Sequence, residues 1–368
     1  MLAYLSILAF IYPNFKVFTR QMSPNRSISQ TPKPLNLQNT TLTEPQHRVK
    51  VNNMKRLGVA VIGTGFWGKN HARAYKEIDS TNLIAICDVN AERAQAIANQ
   101  FGVKAYTDST KMLKDSEIEA VSVCTWSTVL AQEALKVLKA GKHVLVEKPM
   151  AADSKQAEKL EKAAQEGDLV LTVGFLTRFI PGLQHIRQAV ESKKIGEFVC
   201  ATAKRVTQWP ERIGDVGVIK DTAIHDIDVV RYLTGEDPTS VFAKTGHMHH
   251  KQFEDYAHVM LTYRDGKSAF IESNWLTPYK TRTLVVTGSD AIMKLDYMTQ
   301  ELWIEDAKQT VQPRYTVVEP LKLELQHFAQ CVNEKKKPLV TGLDGIKALK
   351  IAEAIMASSA QNKVIELQ

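Results

Sequence analysis

The stretch Leu57-Gly58-Val59-Ala60-Val61-Ile62-Gly63-Thr64-Gly65-Phe66-Trp67-Gly68 decides the fold of this chain. Its first half is a short apolar run, which is typical of a parallel β-strand buried on both faces. Its second half matches the pattern Gly-x-Gly-x-x-Gly, which predicts a tight turn from that strand into a helix. A strand, a glycine-rich turn and a helix in this order indicate a dinucleotide-binding βαβ unit.

Each glycine of this turn has a separate physical task. Gly63 permits the sharp turn, and Gly65 has no Cβ, so a pyrophosphate can approach the backbone. Gly68 allows the following helix to pack closely on the strand. The free N–H groups at the start of that helix point at the phosphates. Phe66 and Trp67 lie between the glycines and are expected to contact the cofactor.

A second predicted strand supports the same interpretation. Residues 83–87 are apolar and are followed by Asp88, which lies twenty residues after Gly68. At this position a carboxylate accepts hydrogen bonds from the hydroxyls of the adenosine ribose. The alternative is an ordinary βαβ turn with a surface aspartate, which is disfavoured because both parts of the pattern are present.

Up to about residue 175, short apolar runs alternate with amphipathic segments. This alternation predicts an α/β domain of the Rossmann type, a doubly wound parallel sheet with helices on both faces. The further predicted strands are residues 104–106, 120–124, 143–146 and 169–173. The predicted helices are residues 68–78, 91–101, 130–140 and 155–166.

The pattern becomes β-rich near residue 198, with tight turns such as Arg264-Asp265-Gly266-Lys267. This predicts an α+β domain with an open, mainly antiparallel sheet. Helices would cover one face, and the other would be solvated or paired with a second subunit. The predicted strands are residues 198–205, 241–246, 257–263, 268–274, 283–286 and 291–295, and the predicted closing helices are residues 321–333 and 344–359.

These patterns divide the chain into an extension and two domains. Residues 54–175 are expected to form the NAD-binding domain, and residues 176–368 a substrate and oligomerisation domain whose last helices pack back on the first. Residues 1–53 open with an apolar run too short to span a bilayer, so no stable membrane insertion is expected. We expect them to be a disordered or mis-called extension, with Met54 as the native start; a membrane or targeting role is the alternative.

The basic excess of the chain lies in this extension. The formal net charge is +7, and residues 1–56 contain eight basic residues against the single acidic Glu44. The remainder is formally neutral, which disfavours nucleic-acid binding. The four cysteines form no Cys-x-x-Cys pair, so we expect a reduced, cytoplasmic protein without a metal site.

Lys148 follows the predicted strand at residues 143–146, in the sequence Glu147-Lys148-Pro149. The carboxyl ends of parallel strands face the ligand crevice. A lysine there can hydrogen-bond a reacting oxygen and stabilise developing alkoxide charge. The alternative is a solvated Lys-Pro turn.

A second group of chemical side chains lies between residues 221 and 235. Asp221, His225, Asp228 and Tyr232 recur at helical intervals and therefore share one helix face. A carboxylate one turn from an imidazole can fix its tautomer and raise its basicity, which suits a general base. The alternative is a capped helix N-terminus with His225 on a solvated face.

Taken together, these motifs resemble the Gfo/Idh/MocA oxidoreductase family. The resemblance covers nearly all of the chain after the extension, and the combination of Glu-Lys-Pro with Asp-x-x-x-His is highly specific. The matching stretches are residues 63–68, 70–71, 87–88, 140–149, 174–175, 178–181 and 221–228.

The resemblance implies oxidation or reduction at a sugar, cyclitol or nucleotide-sugar carbon, in a homodimer or homotetramer. It implies that Lys148, Asp221 and His225 form the catalytic set. His225 would take a hydroxyl proton, Lys148 would hold the oxygen, and Asp221 would orient the imidazole. The cofactor would be NAD rather than NADP, because the Asp88 carboxylate would repel a 2′-phosphate. NADP is the alternative, because Arg93 lies close to Asp88 in the sequence.

The chain departs from the family pattern at two places. Where the family often has Thr-Pro-Asn-x-x-His, residues 125–130 read Thr-Trp-Ser-Thr-Val-Leu, and Trp126 is expected near the nicotinamide. Thr125 and Glu147 are further expected cofactor-binding residues. Residues 209–224 differ from the usual glycine-rich approach and resemble an archaeal subgroup of UDP-N-acetylglucosamine 3-dehydrogenases. The candidate substrate-binding residues are Arg178, Arg205, Arg212, Lys220 and Asp228.

Three functional interpretations remain open at this point. The first is oxidation of the 3-hydroxyl of UDP-N-acetylglucosamine, with an aminotransferase as pathway partner. In that case the substrate diphosphate would be bound by Arg205, Arg212 and Lys220. The alternative for each of these three residues is a place in an exposed loop. The second is a dehydrogenase of a free sugar or myo-inositol. The third is a non-catalytic NAD-sensing or scaffold protein.

Overall fold

The computed structural model describes residues 56–210 and 215–367. The expected extension at residues 1–53 and the candidate ligand Arg212 therefore lie outside the described residues. The first part of the described chain is a six-stranded parallel sheet with strand order β3-β2-β1-β4-β5-β6. Its strands are β1 Leu57–Ile62, β2 Thr81–Cys87, β3 Lys104–Tyr106, β4 Ala120–Val123, β5 His143–Val146 and β6 Leu171–Val173.

Helices connect these strands in the doubly wound arrangement that the alternating pattern predicts. Local residues set the ends of the second helix: Asn90 accepts a hydrogen bond from the backbone N–H of Arg93 at its start, and Gly102 ends it in the left-handed conformation. The helices are α1 Phe66–Glu77, α2 Ala91–Phe101, α3 Ser109–Met112, α4 Ser127–Lys139 and α5 Ser154–Glu166.

The second sheet has nine strands in the order β14-β13-β12-β11-β7-β10-β9-β8-β15. Its pairs are antiparallel except for the central parallel pair of β7 and β10. The fold class predicted from the sequence is thus confirmed. The strands are β7 Phe198–Val206, β8 Ser240–Gly246, β9 Tyr256–Thr262, β10 Ser268–Asn274, β11 Thr281–Gly288, β12 Ala291–Asp296, β13 Leu302–Asp306, β14 Thr310–Val311 and β15 Ile365–Glu366.

Four further helices pack around these sheets. Helix α8 lies against α1, and α9 lies against both α5 and β8, so the end of the chain packs on helices of the parallel-sheet half as well as on the second sheet. Along β9 the side chains alternate, with Ala257, Val259 and Leu261 buried in the core. The helices are α6 Pro181–Glu191, α7 Ile224–Thr234, α8 Pro320–Glu334 and α9 Gly342–Gln361.

The opposite face of the nine-stranded sheet carries a row of exposed apolar side chains. Phe242, Met260 and Phe270 lie opposite one another on β8, β9 and β10. Each is 38–42% exposed although it sits within a strand. We call these three side chains the apolar row. Contiguous exposed apolar surface of this kind is typical of an interaction face. Within the part of the chain that the structure describes, no helix is long and apolar enough to cross a membrane.

Candidate active site at the carboxyl edge of the parallel sheet

The glycine-rich turn forms a tight cradle at the end of β1. Gly63 has φ +85°, a conformation that favours glycine. A Cβ on Gly68 would lie 1.7 Å from the carbonyl oxygen of Gly63, so only glycine lets α1 begin this close to the strand. At Gly65 a Cβ would meet no protein atom within 4 Å. The open side of the turn thus faces free space, which fits the approach of a cofactor pyrophosphate.

Asp88 ends β2 beside this cradle, and its carboxylate is densely hydrogen-bonded. Oδ2 accepts from the backbone N–H of Thr64 at 2.7 Å and from the Thr64 hydroxyl at 2.8 Å. Arg93 donates to both carboxylate oxygens, at 3.0 and 2.7 Å. Burial by itself would raise the pKa of Asp88, but the hydrogen bonds from Arg93, Asn90 and Thr64 outweigh it and lower the pKa to about 2. A fixed anion therefore stands beside the glycine-rich turn.

A cleft of about 740 Å³ runs from this point along the carboxyl edge of the sheet. Phe66 and Trp126 border it with large exposed rings, 65% and 58% exposed. The structure brings together at this cleft all but one of the predicted cofactor-binding residues, and Gly68 packs just behind the turn. The predicted residues that line it are Gly63, Gly65, Phe66, Trp67, Asp88, Thr125, Trp126, Glu147 and Lys148.

Lys148 lies at the other end of the cleft, where β5 ends, and it is buried rather than solvated. Its Nζ donates to Oδ1 of Asp221 at 2.8 Å and to the backbone oxygen of the same residue at 2.7 Å. Asp221 also lines the cleft. Two residues far apart in the sequence are thereby brought together as a buried ion pair beside the cofactor cleft.

The helix that carries Asp221 begins with a π-helical turn. Residues Ile219–Ala223 form this turn, and α7 continues it until Gly235 ends the helix in the left-handed conformation. The four side chains predicted on one face all contact residues that follow β5 or β6. Asp221 meets Lys148, and the His225 ring lies edge-on to Phe175 with centroids 6.2 Å apart. The remaining two, Asp228 and Tyr232, contact Arg178.

The structure places Arg178 and Asp228 in a buried ion pair instead of along the cleft. The guanidinium donates to both oxygens of Asp228, at 2.8 and 2.6 Å, and also to Asp344 at 2.9 Å. Burial disfavours its charge, but the two carboxylates outweigh burial and raise the pKa of Arg178. The Arg178 guanidinium also stacks 4.8 Å above the ring of Tyr232. These contacts tie α7 to the carboxyl edge of the parallel sheet.

Two of the basic residues expected to meet a diphosphate, Arg205 and Lys220, lie in the described chain, and each donates to a partner within the protein. Arg205 is buried and donates to both oxygens of Asp226, at 3.0 and 2.9 Å. Lys220 lies in the π-helical turn and donates to the backbone oxygen of Ala152 at 2.6 Å. Neither side chain is among the cleft-lining residues of the described part.

Two polar contacts at this edge of the sheet were not predicted from the sequence. His71 is completely buried, and its Nε2 lies 3.0 Å from Oε1 of Glu147. Asp215 accepts a hydrogen bond at 3.1 Å from the backbone N–H of Thr128, in the first turn of α4, and so bridges the cleft walls. The Asn-His pair after the glycine turn was a signal for His71, whereas the loop around Asp215 offered none.

The fold and this site define an NAD-binding oxidoreductase. The family model "Oxidoreductase family, NAD-binding Rossmann fold" matches residues 57–175. The model "GFO/IDH/MocA C-terminal domain" matches residues 183–294. The chain belongs to the Gfo/Idh/MocA oxidoreductase family, as the resemblance of its motifs predicts.

The named relatives of this chain include sugar and polyol dehydrogenases. A UDP-N-acetylglucosamine 3-dehydrogenase from Acidithiobacillus ferrooxidans is 31% identical over 251 residues, which are 68% of this chain and 77% of the relative. A myo-inositol 2-dehydrogenase from Thermotoga maritima is 28% identical over 329 residues, 84% of this chain and 98% of the relative. A solved structure of the A. ferrooxidans enzyme aligns with TM-score 0.77 and 28% identity, covering 83% of this chain and 99% of that one.

Proposed function

We propose that the protein oxidises a secondary hydroxyl of a sugar with NAD, and that the substrate is UDP-N-acetylglucosamine, oxidised at carbon 3. The observation that carries the chemistry is the buried pair of Lys148 and Asp221 beside the cofactor cleft. Support for the nucleotide sugar comes from the A. ferrooxidans relative, which is similar along most of this chain.

In this proposal NAD supplies the hydride acceptor when it is bound. Lys148 donates a hydrogen bond to the substrate oxygen and stabilises the negative charge that grows there as the O–H bond breaks. His225 takes the hydroxyl proton, the carbon gives up a hydride, and a ketone results. Asp221 holds the Lys148 ammonium in place through their 2.8 Å contact.

Charged groups around the catalytic helix have two roles in this scheme. We propose that Arg212 and Lys220, two basic residues that precede Asp221 in the sequence, meet the diphosphate of the substrate. Arg178, Asp228 and Arg205 are already paired inside the protein. We therefore propose that they hold the helix in position, which replaces the substrate contacts expected from the sequence.

The test is turnover by the full chain with NAD or NADP. NADH formation would be followed with UDP-N-acetylglucosamine, UDP-glucose, N-acetylglucosamine, glucose and myo-inositol. Turnover of UDP-N-acetylglucosamine with NAD, and not of N-acetylglucosamine, is the expected result. A 3-keto product would then be a suitable substrate for an aminotransferase.

A free polyol is the second candidate substrate, and the T. maritima relative favours it because the similarity extends over nearly its whole length. Turnover of myo-inositol in the same panel would keep the roles of Lys148 and His225 and exclude the nucleotide sugar. A non-catalytic NAD sensor would bind NAD and turn over no member of the panel.

We also propose that the protein assembles as a homodimer or homotetramer through the nine-stranded sheet. The apolar row of Phe242, Met260 and Phe270 supports this, because a second copy would cover surface that water otherwise contacts.

A further inference from the structure

We propose that Thr222 and Trp275 are positioning residues that hold Asp221 as an ionised acceptor for Lys148. This inference rests on the proposed function, in which Lys148 acts on the substrate oxygen. Neither side chain lines the cofactor cleft in the described part of the chain, so both act through Asp221.

Hydrogen bonds connect the four side chains in a row. The indole Nε1 of Trp275 donates to Oγ1 of Thr222 at 2.9 Å. The Thr222 hydroxyl donates to Oδ2 of Asp221 at 3.1 Å. The other oxygen of that carboxylate, Oδ1, accepts from Lys148 at 2.8 Å. All four residues are buried, so solvent screens these contacts little.

The direction of these bonds follows from the chemistry of the groups. An indole N–H can only donate, so it occupies a lone pair of the Thr222 oxygen. The hydroxyl carries one hydrogen, which it donates to the Asp221 carboxylate. The carboxylate thereby receives a donor at each oxygen, and both donors favour its ionised form. A protonated Asp221 would have to give up one of these bonds.

The indole is itself held firmly. Trp275 directly follows β10, is 2% exposed, and donates its backbone N–H to the carbonyl of Asp255 at 2.9 Å. The ring of Trp209 meets it edge-on with centroids 5.2 Å apart. The π-helical turn at Ile219–Ala223 contains both Asp221 and Thr222, and π-turns are frequent at functional sites. A rigid donor therefore fixes the hydroxyl, and the hydroxyl fixes the carboxylate.

A packing role alone would predict a different outcome. If Thr222 only filled space, the isosteric Thr222→Val would leave the ionisation of Asp221 unchanged. If it orients the carboxylate, Thr222→Val removes one donor to the charged form, and Asp221 takes up its proton at higher pH. Thr222→Ser keeps the hydroxyl and is the matched control.

The first measurement needs no substrate. Aspartate labelled with ¹³C at the carboxyl carbon is introduced into the full chain, and the Asp221 signal is assigned by its loss in Asp221→Asn. We expect its titration midpoint to move upward by roughly one pH unit in Thr222→Val. In Thr222→Ser it should stay at the wild-type value, and Trp275→Phe should move it in the same direction as Thr222→Val. Identical midpoints in wild type and Thr222→Val overturn the proposal.

The second measurement is the pH profile of kcat/KM with the sugar that the substrate panel identifies. The acidic limb should move to higher pH in Thr222→Val, while the Kd for NAD stays within about twofold of wild type because Thr222 does not border the cofactor. A shifted Asp221 titration without turnover of any sugar would contradict the proposed function and still support this inference. Turnover of a sugar, with the Asp221 titration and the pH profile both unshifted in Thr222→Val, would support the proposed function and contradict this inference.

Discussion

Lys142 and Lys148 flank β5 at its two ends, and both are buried. They differ in what they contact. Lys142 donates to the backbone carbonyls of Asp115 and Ile118 at the amino end, whereas Lys148 pairs with the Asp221 carboxylate at the ligand end. Lys148→Met should lower kcat by about 10²-fold to 10³-fold while NAD still binds. The reason is that the negative charge on the substrate oxygen in the transition state then lacks its hydrogen-bond donor. Lys142→Met is the matched control and should change thermal stability with kcat retained; equal losses of kcat would contradict the role of Lys148.

A second residue-scale prediction concerns the cofactor. Asp88 holds the guanidinium of Arg93, whose side chain is 48% exposed. Removing the carboxylate removes a charge that repels a 2′-phosphate and frees a cation that can bind it. Asp88→Ser should therefore shift the ratio of the NAD and NADP dissociation constants by about tenfold or more towards NADP. Calorimetric titration of both cofactors measures this, and the double variant Asp88→Ser/Arg93→Ala should lose the gain in NADP affinity. An unchanged ratio in Asp88→Ser would show that the pair does not set cofactor choice.

The same residues show what could be predicted from sequence. The positions of Gly63 and Asp88 depend on a local turn and on the end of the next strand. The spacing of the glycine motif therefore predicts both positions from sequence. Arg205 could not be placed in this way, because its partner was decided by how β7 packs against α7. The sequence around a single arginine in a β-rich segment does not indicate which carboxylate will pair with it in the folded protein.

At the scale of elements, helix α8 contains a carboxyl group with an unusual environment. Glu324 is 2% exposed, and neither carboxyl oxygen has a hydrogen-bond partner among the described residues. Burial, with the nearby charges of Glu147 and Asp228, raises its pKa well above the usual value of 4.5. The folded protein thus keeps a proton that the unfolded chain loses above that value. Stability must then fall as pH rises from 4.5 towards the raised pKa.

Glu324→Gln tests this linkage, because the amide does not titrate. The free energy of unfolding of the variant relative to wild type should grow by about 1.4 kcal/mol for each pH unit within that window. Urea unfolding between about pH 5 and about pH 8 measures the slope. Glu334→Gln on the same helix is the control, since its pKa is lowered, with the Lys336 contact as the largest cause, and its charge does not change over this range. Parallel pH curves for wild type and Glu324→Gln would contradict a buried protonated carboxyl.

Helices and strands were predicted correctly where the hydrophobic pattern extends over many residues. The prediction failed for very short strands and for pairing between strands far apart in the sequence. Apart from the short, partly exposed β3, the strands of the parallel sheet are mostly buried runs between helices, and their positions follow from the sequence. Strands β13, β14 and β15 were missed. Of these, β14 and β15 are only two residues long, too short to show an alternating pattern. The parallel pairing of β7 with β10 was also missed, since register between strands more than sixty residues apart is set by the whole sheet.

At the scale of the whole molecule, the proposed assembly makes the apolar row the surface through which copies of the chain would meet. Phe242, Met260 and Phe270 stand side by side on adjacent strands, and strand neighbours at this spacing form one continuous surface. A charge introduced in the middle of such a surface would be buried without a partner when two copies associate. Met260→Glu should therefore weaken self-association of the full chain by at least about tenfold in Kd.

Sedimentation equilibrium of the full chain at micromolar concentration measures the change. Wild type should show the mass of a dimer or tetramer, and Met260→Glu should dissociate to smaller species with its far-ultraviolet circular dichroism unchanged. Met298→Glu is the matched control, because Met298 is also exposed, at 49%, but lies in the turn after β12 and outside the apolar row. If both glutamate variants keep the wild-type mass, the copies associate through another face. If turnover falls only in Met260→Glu, assembly also supports the proposed active site. The reason is that the sheet carrying the row includes β7 and β10, which pack against α7.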